Sequence, residues 1–254
     1  MNGRPTEPSR TELVSAATEV LAASEAGGSV LRALGGVAIA LRCWSARPPG
    51  ALTRDYSDLD FIARRSDSNG VAAAFAVAGF APAERFNAIQ AGARMRFARG
   101  ELIHADVFLE EFRMCHSLRL SKRLRIDQHT ISLADLLLTK LQVAQLSGKD
   151  VADIAALLLD HELTSDESGI NAHYIAEFLA RDWGWWRTAT ETLARIPELA
   201  RALPVEDSEA DVIGKRATEL QTMITATPKG LRWRARARVG DLRPWREEPE
   251  EVAD

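Results

Sequence analysis

Apolar positions recur with two different periods, and the change between them divides the chain. Leu13, Ala16, Ala17, Val20 and Leu21 fall three and four apart, which predicts a helix over Thr11 to Ala26, capped by Thr11 and stopped by Gly27-Gly28. Val30 to Leu34 and Leu59 to Ala63 are short apolar runs of strand character. Ala38 to Trp44 predicts a packing helix broken by Pro48-Pro49-Gly50, and Ser68 to Ala78 a second one. Ala93 to Ala98 and Leu102 to Leu109 predict two strands joined as a hairpin at Arg99-Gly100.

From Ser132 the period becomes helical. Leu133, Leu136, Leu137, Leu141 and Ala144 lie on one stripe ending at Gly148, and Lys149-Asp150 opens a helix with Val151, Ile154, Ala155, Leu157 and Leu158 inward. Further helices are predicted over Ala172 to Thr188 and Ala189 to Ala202. The expected class is therefore α/β (α+β): a small mixed sheet with flanking helices, then a helical half. By segment, 1–10 reads as disordered, 11–115 as the α/β core, 116–228 as helical, and 229–254 as a basic segment with an acidic tail.

Composition narrows the class. At 254 residues with net charge −4, the chain is long enough for a sizeable core and mild in charge. Two cysteines make neither a disulfide framework nor a zinc site and point to a reducing compartment. No apolar stretch approaches the roughly 18 residues of a membrane span, and Met1 to Thr11 lacks a signal-peptide layout. A cytoplasmic protein is expected.

The candidate chemistry sits at the strand ends. Gly35-Gly36 follows the first strand, and backbone without a Cβ approaches an anion closely. Asp58 and Asp60 precede and enter the second strand; period two puts both on one face, with Cα atoms roughly 7 Å apart. Asp106, in the run Ile103 to Leu109, offers a third carboxylate. Two or three convergent carboxylates suit a divalent cation, and a cation beside a phosphate cradle suits nucleotide chemistry.

Gly35-Gly36, the segment Arg54 to Asp60 and Asp106 resemble the motif of the polymerase-β-type nucleotidyltransferases. Arg54, with Leu136 to Leu141 and Lys149 to Ile154, is similar to the branch of AbiEii-like (abortive-infection toxin) enzymes. The resemblance covers roughly residues 30–160. It implies that Asp58, Asp60 and Asp106 hold Mg²⁺ (or Mn²⁺), with Asp106 on the second metal, and that Gly35 and Gly36 bind the triphosphate. It also implies NMP transfer from an NTP to a hydroxyl of RNA, tRNA, a protein or a small molecule such as an aminoglycoside. A toxin role would add an antitoxin partner, and a fold kept without turnover would make a binding or regulatory protein. Two features depart from the pattern: Tyr56 stands where Thr or Ser is usual, and Pro-Pro-Gly lengthens the spacer.

Other residues admit two readings each. Lys140 lies on an apolar stripe, so its stem snorkels along the core edge or its ammonium reaches triphosphate. Asp150 reads as first-turn charge, Asp153 as solvent-facing, and His104 as an ordinary strand histidine. Trp183, Trp185 and Trp186 read as core, with base stacking as the other use. Arg232, Arg234, Arg236 and Arg238 alternate, which in an extended segment puts them on one face able to track phosphates. Alternatively they form a solvated face paired with Glu247, Glu248, Glu250 and Glu251.

Overall fold

A computed structural model describes residues 8–247; most of the expected N-terminal tail, and Glu248, Glu250 and Glu251, lie outside them. The chain divides into two units. One comprises the chain up to Arg42, Arg54–Phe112 and Arg119–Ser132; the other comprises Cys43–Thr53, Arg113–Leu118 and everything from Leu133.

The first unit opens with α1 (Arg10–Ala26). Its cap is Ser9 rather than Thr11: the Ser9 hydroxyl accepts from the Glu12 amide at 3.3 Å while the Glu12 carboxylate accepts from the Ser9 amide at 2.7 Å. This capping box satisfies two helix-end donors at once. Strand β1 (Leu31–Leu34) runs directly into α2 (Gly35–Arg42), so the glycine pair forms the first turn of a helix. Then come β2 (Leu59–Ala63), α3 (Ser68–Val77), β3 (Ala81–Pro82), α4 (Glu84–Ile89), β4 (Arg94–Arg99) and β5 (Ile103–Leu109). Gly100, at φ 63, closes the β4–β5 hairpin in the left-handed backbone that a tight turn requires.

The five strands order as β1-β2-β5-β4-β3. The sheet is mixed: β2 and β5 are parallel, while β1–β2, β4–β5 and β3–β4 are antiparallel. Alternation separates its faces. On one, Phe61 and Phe97 meet Phe75 of α3 at ring-centroid distances of 5.6 and 4.1 Å, forming the unit's aromatic core. On the other, the cross-strand register sets Leu34, Asp60, Asp106 and Arg96 in one row.

Short strands β6 (Glu111–Arg113) and β7 (Ser117–Arg119) precede the helical part. That part contains α5 (Leu133–Leu141), α6 (Gly148–Asp160), α7 (Ala172–Leu179), α8 (Trp183–Ala200), α9 (Asp207–Ala226) and α10 (Leu231–Val239), with a parallel pair β8 (Leu163–Thr164) and β9 (Ile170–Asn171). The helical stripe expected to reach Gly148 stops at Leu141, and Ser147 caps a fresh helix with Asp150 as its box partner. Arg216 of α9 donates at 2.8 Å to the carbonyls of Leu158 and Leu159, partnering acceptors that the end of α6 leaves over. Ser45 donates backbone and hydroxyl hydrogens to Asp160, both at 2.9 Å, which ties Cys43–Thr53 to this unit. No described helix is long and apolar enough to cross a membrane.

Candidate functional site

The site of the sheet unit starts at Gly35. Its φ is +68°, and a Cβ there would stand 2.5 Å from Oδ2 of Asp60. Only glycine allows this chain direction and this approach, so the Asp60 carboxylate lies against the start of α2. A Cβ on Gly36 would run into the Tyr56 ring and stand 2.7 Å from an Arg54 guanidinium nitrogen. The segment before β2 is thus folded down onto the glycine pair. First-turn amides of α2 and the positive end of its dipole face the same place.

Asp58 is exposed just before β2, Asp60 is half-buried on it, and Asp106 is buried on β5 opposite Asp60. The register therefore brings Asp60 and Asp106 together as the spacing suggested. The row holds cations as well. Arg96 donates from Nε to Asp106 Oδ1 at 3.0 Å and from Nη2 to Oδ2 at 3.4 Å, and Arg94 pairs with Oδ2 at 2.6 Å. Both guanidiniums are braced by aromatic rings, Arg96 over Phe86 at 4.3 Å and Arg94 over Phe108 at 4.8 Å. Both oxygens of Asp106 are thus engaged, and among the described residues no three acids, histidines or cysteines converge on one point. Asp58, just before β2, and Asp60, on it, are hard oxygen donors, and that donor chemistry fits Mg²⁺ or Mn²⁺. His104 shares the face of Asp106 and is exposed.

Two arginines flank Tyr56. Arg54 lies over its ring at 4.7 Å and Arg10, from α1, at 5.3 Å. Arg10 also donates to the Tyr56 hydroxyl at 3.5 Å, and its Nη1 is buried without a hydrogen-bond partner among the described residues. Buried guanidinium nitrogens are ordinarily satisfied. Arg10, Arg94 and Arg96 carried no signal in the sequence, since the register and ring contacts that place them join positions 10 to 46 residues apart.

Lys140 belongs to the helical unit. Its ammonium sits 2.8 Å from Asp153 and 3.2 Å from Asp150. Burial raises the Asp150 carboxyl; the Lys140 ammonium and the hydrogen bonds from Ser147 and Lys140 outweigh it and hold the group below its ordinary value. Asp153, expected to face solvent, is 2% exposed: it sits on the inward side of α6, where the Lys140 charge offsets its burial. Trp183 and Trp185 are buried as expected, and Trp185 donates from Nε1 to the Ser117 carbonyl at 3.2 Å. The arginines of 232–238 are helical rather than extended, so they spread around α10.

No protein-family model matches the chain, and no curated protein does. Among solved structures, the crystal structure of JHP933 from Helicobacter pylori aligns at a TM-score of 0.41 and 11% identity, over 87% of this chain and 95% of that one.

Proposed function

We propose that the chain is a metal-dependent nucleotidyltransferase that moves an NMP from an NTP to an acceptor hydroxyl on RNA, a protein or a small molecule, in a toxin-type setting with an antitoxin partner. The observation that carries the reading is Gly35: a left-handed glycine at a helix start, closed against Asp60, is the place where phosphate and carboxylate-held cation would meet. The Gly36 amide and the start of α2 would take phosphate oxygens, while Arg54 and Arg10 would neutralise their charge. Asp58 and Asp60 would hold the cation, which when bound offsets charge on the phosphates. The acceptor hydroxyl releases its proton to solvent as its oxygen bonds to the α-phosphorus and the bond to pyrophosphate breaks, so the residues contribute mainly positioning and charge. Lys140 serves here as the counter-charge inside its own unit.

The test supplies each NTP, labelled on the α-phosphate, with Mg²⁺ and with or without RNA. Transfer to RNA or to the protein should fall at least about a thousandfold in Asp58→Ala/Asp60→Ala. Undiminished transfer by that folded variant would contradict the proposal. The two arginines on Asp106 favour one other reading, a binding protein without turnover; it would show NTP binding, no transfer, and no change in Asp106→Asn.

A further inference from the structure

The segment from Lys229 to Arg246 contains seven cationic residues and one anionic residue, whereas the rest of the chain contains 25 and 35. The chain as a whole is acidic, so this concentration of positive charge is local. The fold then disposes of the charges unequally. Asp241, the one acid, lies 3.6 Å from Arg187 of α8. Arg236 donates to the carbonyls of Gly240, Arg243 and Pro244 and lies over the Trp183 ring at 4.5 Å. Arg232, Arg234, Arg238 and Arg243 are exposed and have no side-chain hydrogen bond or ion pair among the described residues.

The platform beneath them is fixed. Trp233 packs edge-on against Trp186 at 5.2 Å, and Trp245 against Trp183 at 5.9 Å. These contacts turn the apolar side of α10 toward α8 and leave an outer face of arginines with Leu231 and Leu242, which are 84% and 88% exposed.

We infer that this outer face of α10 and the turn after it is a docking surface for single-stranded RNA. Four exposed guanidiniums without a side-chain partner among the described residues match a phosphate backbone in charge and as donors. Their spread around a nine-residue helix suits a pliable strand better than one groove of a duplex. Guanidinium planes and the two exposed leucines offer stacking and apolar contact to unpaired bases. The 2′-hydroxyls give RNA more acceptors per nucleotide than DNA, and arginine is donor-only. The inference is independent of transfer chemistry, because it concerns binding alone.

The experiment is fluorescence anisotropy of a labelled, unstructured single-stranded RNA over roughly 50–200 mM salt, without metal or NTP. The variant Arg232→Gln/Arg234→Gln/Arg238→Gln/Arg243→Gln should bind at least roughly tenfold more weakly, and its log–log salt slope should be smaller by about 3. A charge-matched control on other exposed cations, Arg85→Gln/Arg119→Gln/Arg195→Gln/Lys215→Gln, should bind as the parent does. Both variants should melt as the parent does, because all eight side chains are exposed. Equal loss in the control, parent-like binding by the α10 variant, or parent protein that prefers same-sequence DNA or anionic vesicles to RNA would each overturn the assignment.

Discussion

The two units assemble carboxylates and cations from similar side chains and put them to opposite use. In the helical unit Lys140, Asp150 and Asp153 are enclosed: their side chains are 14%, 17% and 3% exposed, and the ammonium lies within 3.2 Å of both carboxylates. In the sheet unit Asp58 is exposed, Asp60 is half-buried against a glycine, and Asp106 is closed off by two arginines. The closed cluster sets one ammonium against two carboxylates, offsetting much of their charge at the cost of desolvation, and contributes structure. The sheet-unit acids lie nearer the surface, Asp58 exposed and Asp60 half-buried, where a group from solution reaches them. The same residue types at similar spacing therefore carry different meanings, and burial decides between them.

The largest effect should come from breaking the closed cluster. Lys140→Met leaves two buried carboxylates without their ammonium, and urea denaturation should show a loss of about 3–5 kcal/mol. Adding Asp153→Leu should restore part of it. If Lys140 instead contacted nucleotide, Lys140→Met would weaken NTP binding and leave the urea midpoint in place.

A buried histidine of the helical unit gives the next effect. His116 stacks on Trp185 at 4.8 Å and bonds Thr188 at 2.9 Å, and burial lowers its pKa to about 4. Between that value and the ordinary 6.5, the unfolded chain binds a proton that the folded one refuses. Stability is therefore held above pH 6.5 and drains as pH falls toward 4, by at most about 3 kcal/mol. His116→Gln should flatten that slope in thermal melts from pH 7 to 4.

In the open site the expected stability effect is smaller and the functional one larger. Gly35→Ala puts a Cβ against Asp60 and strains a positive φ. The unfolding free energy should drop by about 1–3 kcal/mol, and cation affinity should fall with the displaced Asp60. A variant that binds Mn²⁺ as the parent does would separate Gly35 from the site.

Much of the sheet unit is legible in its sequence because its signals are local. The bounds of β2, Leu59–Ala63, follow from one apolar run, and a β4–β5 turn at Gly100 follows from Arg99-Gly100. Asp60 and Asp106 meet because β2 and β5 pair in parallel, which sets the second residue of one opposite the middle residue of the other. The arginines on Asp106 are not legible, since they depend on the register of the β4–β5 hairpin, whose loop is residues 100–102 rather than Arg99-Gly100. Helix α9 falls within 116–228, read as helical, and its buried Ala210, Ile213, Ala217, Leu220 and Ile224 recur three and four apart, a local signal that delimits the helix as well. For α10, alternation of arginine suggested an extended run, but Trp233 docking on Trp186 favours the helix. Asp153 was misplaced because its partner lies 13 residues earlier on another helix.

The most direct test of the open site is titration of Mn²⁺ in the presence of an NTP, followed by electron paramagnetic resonance, on the parent, Asp58→Asn/Asp60→Asn and Asp150→Asn. The account predicts bound Mn²⁺ in the parent and in Asp150→Asn, and its loss in the β2 variant. Parent-like Mn²⁺ binding by Asp58→Asn/Asp60→Asn would contradict the claim that β2 and the Gly35 turn form the nucleotide site.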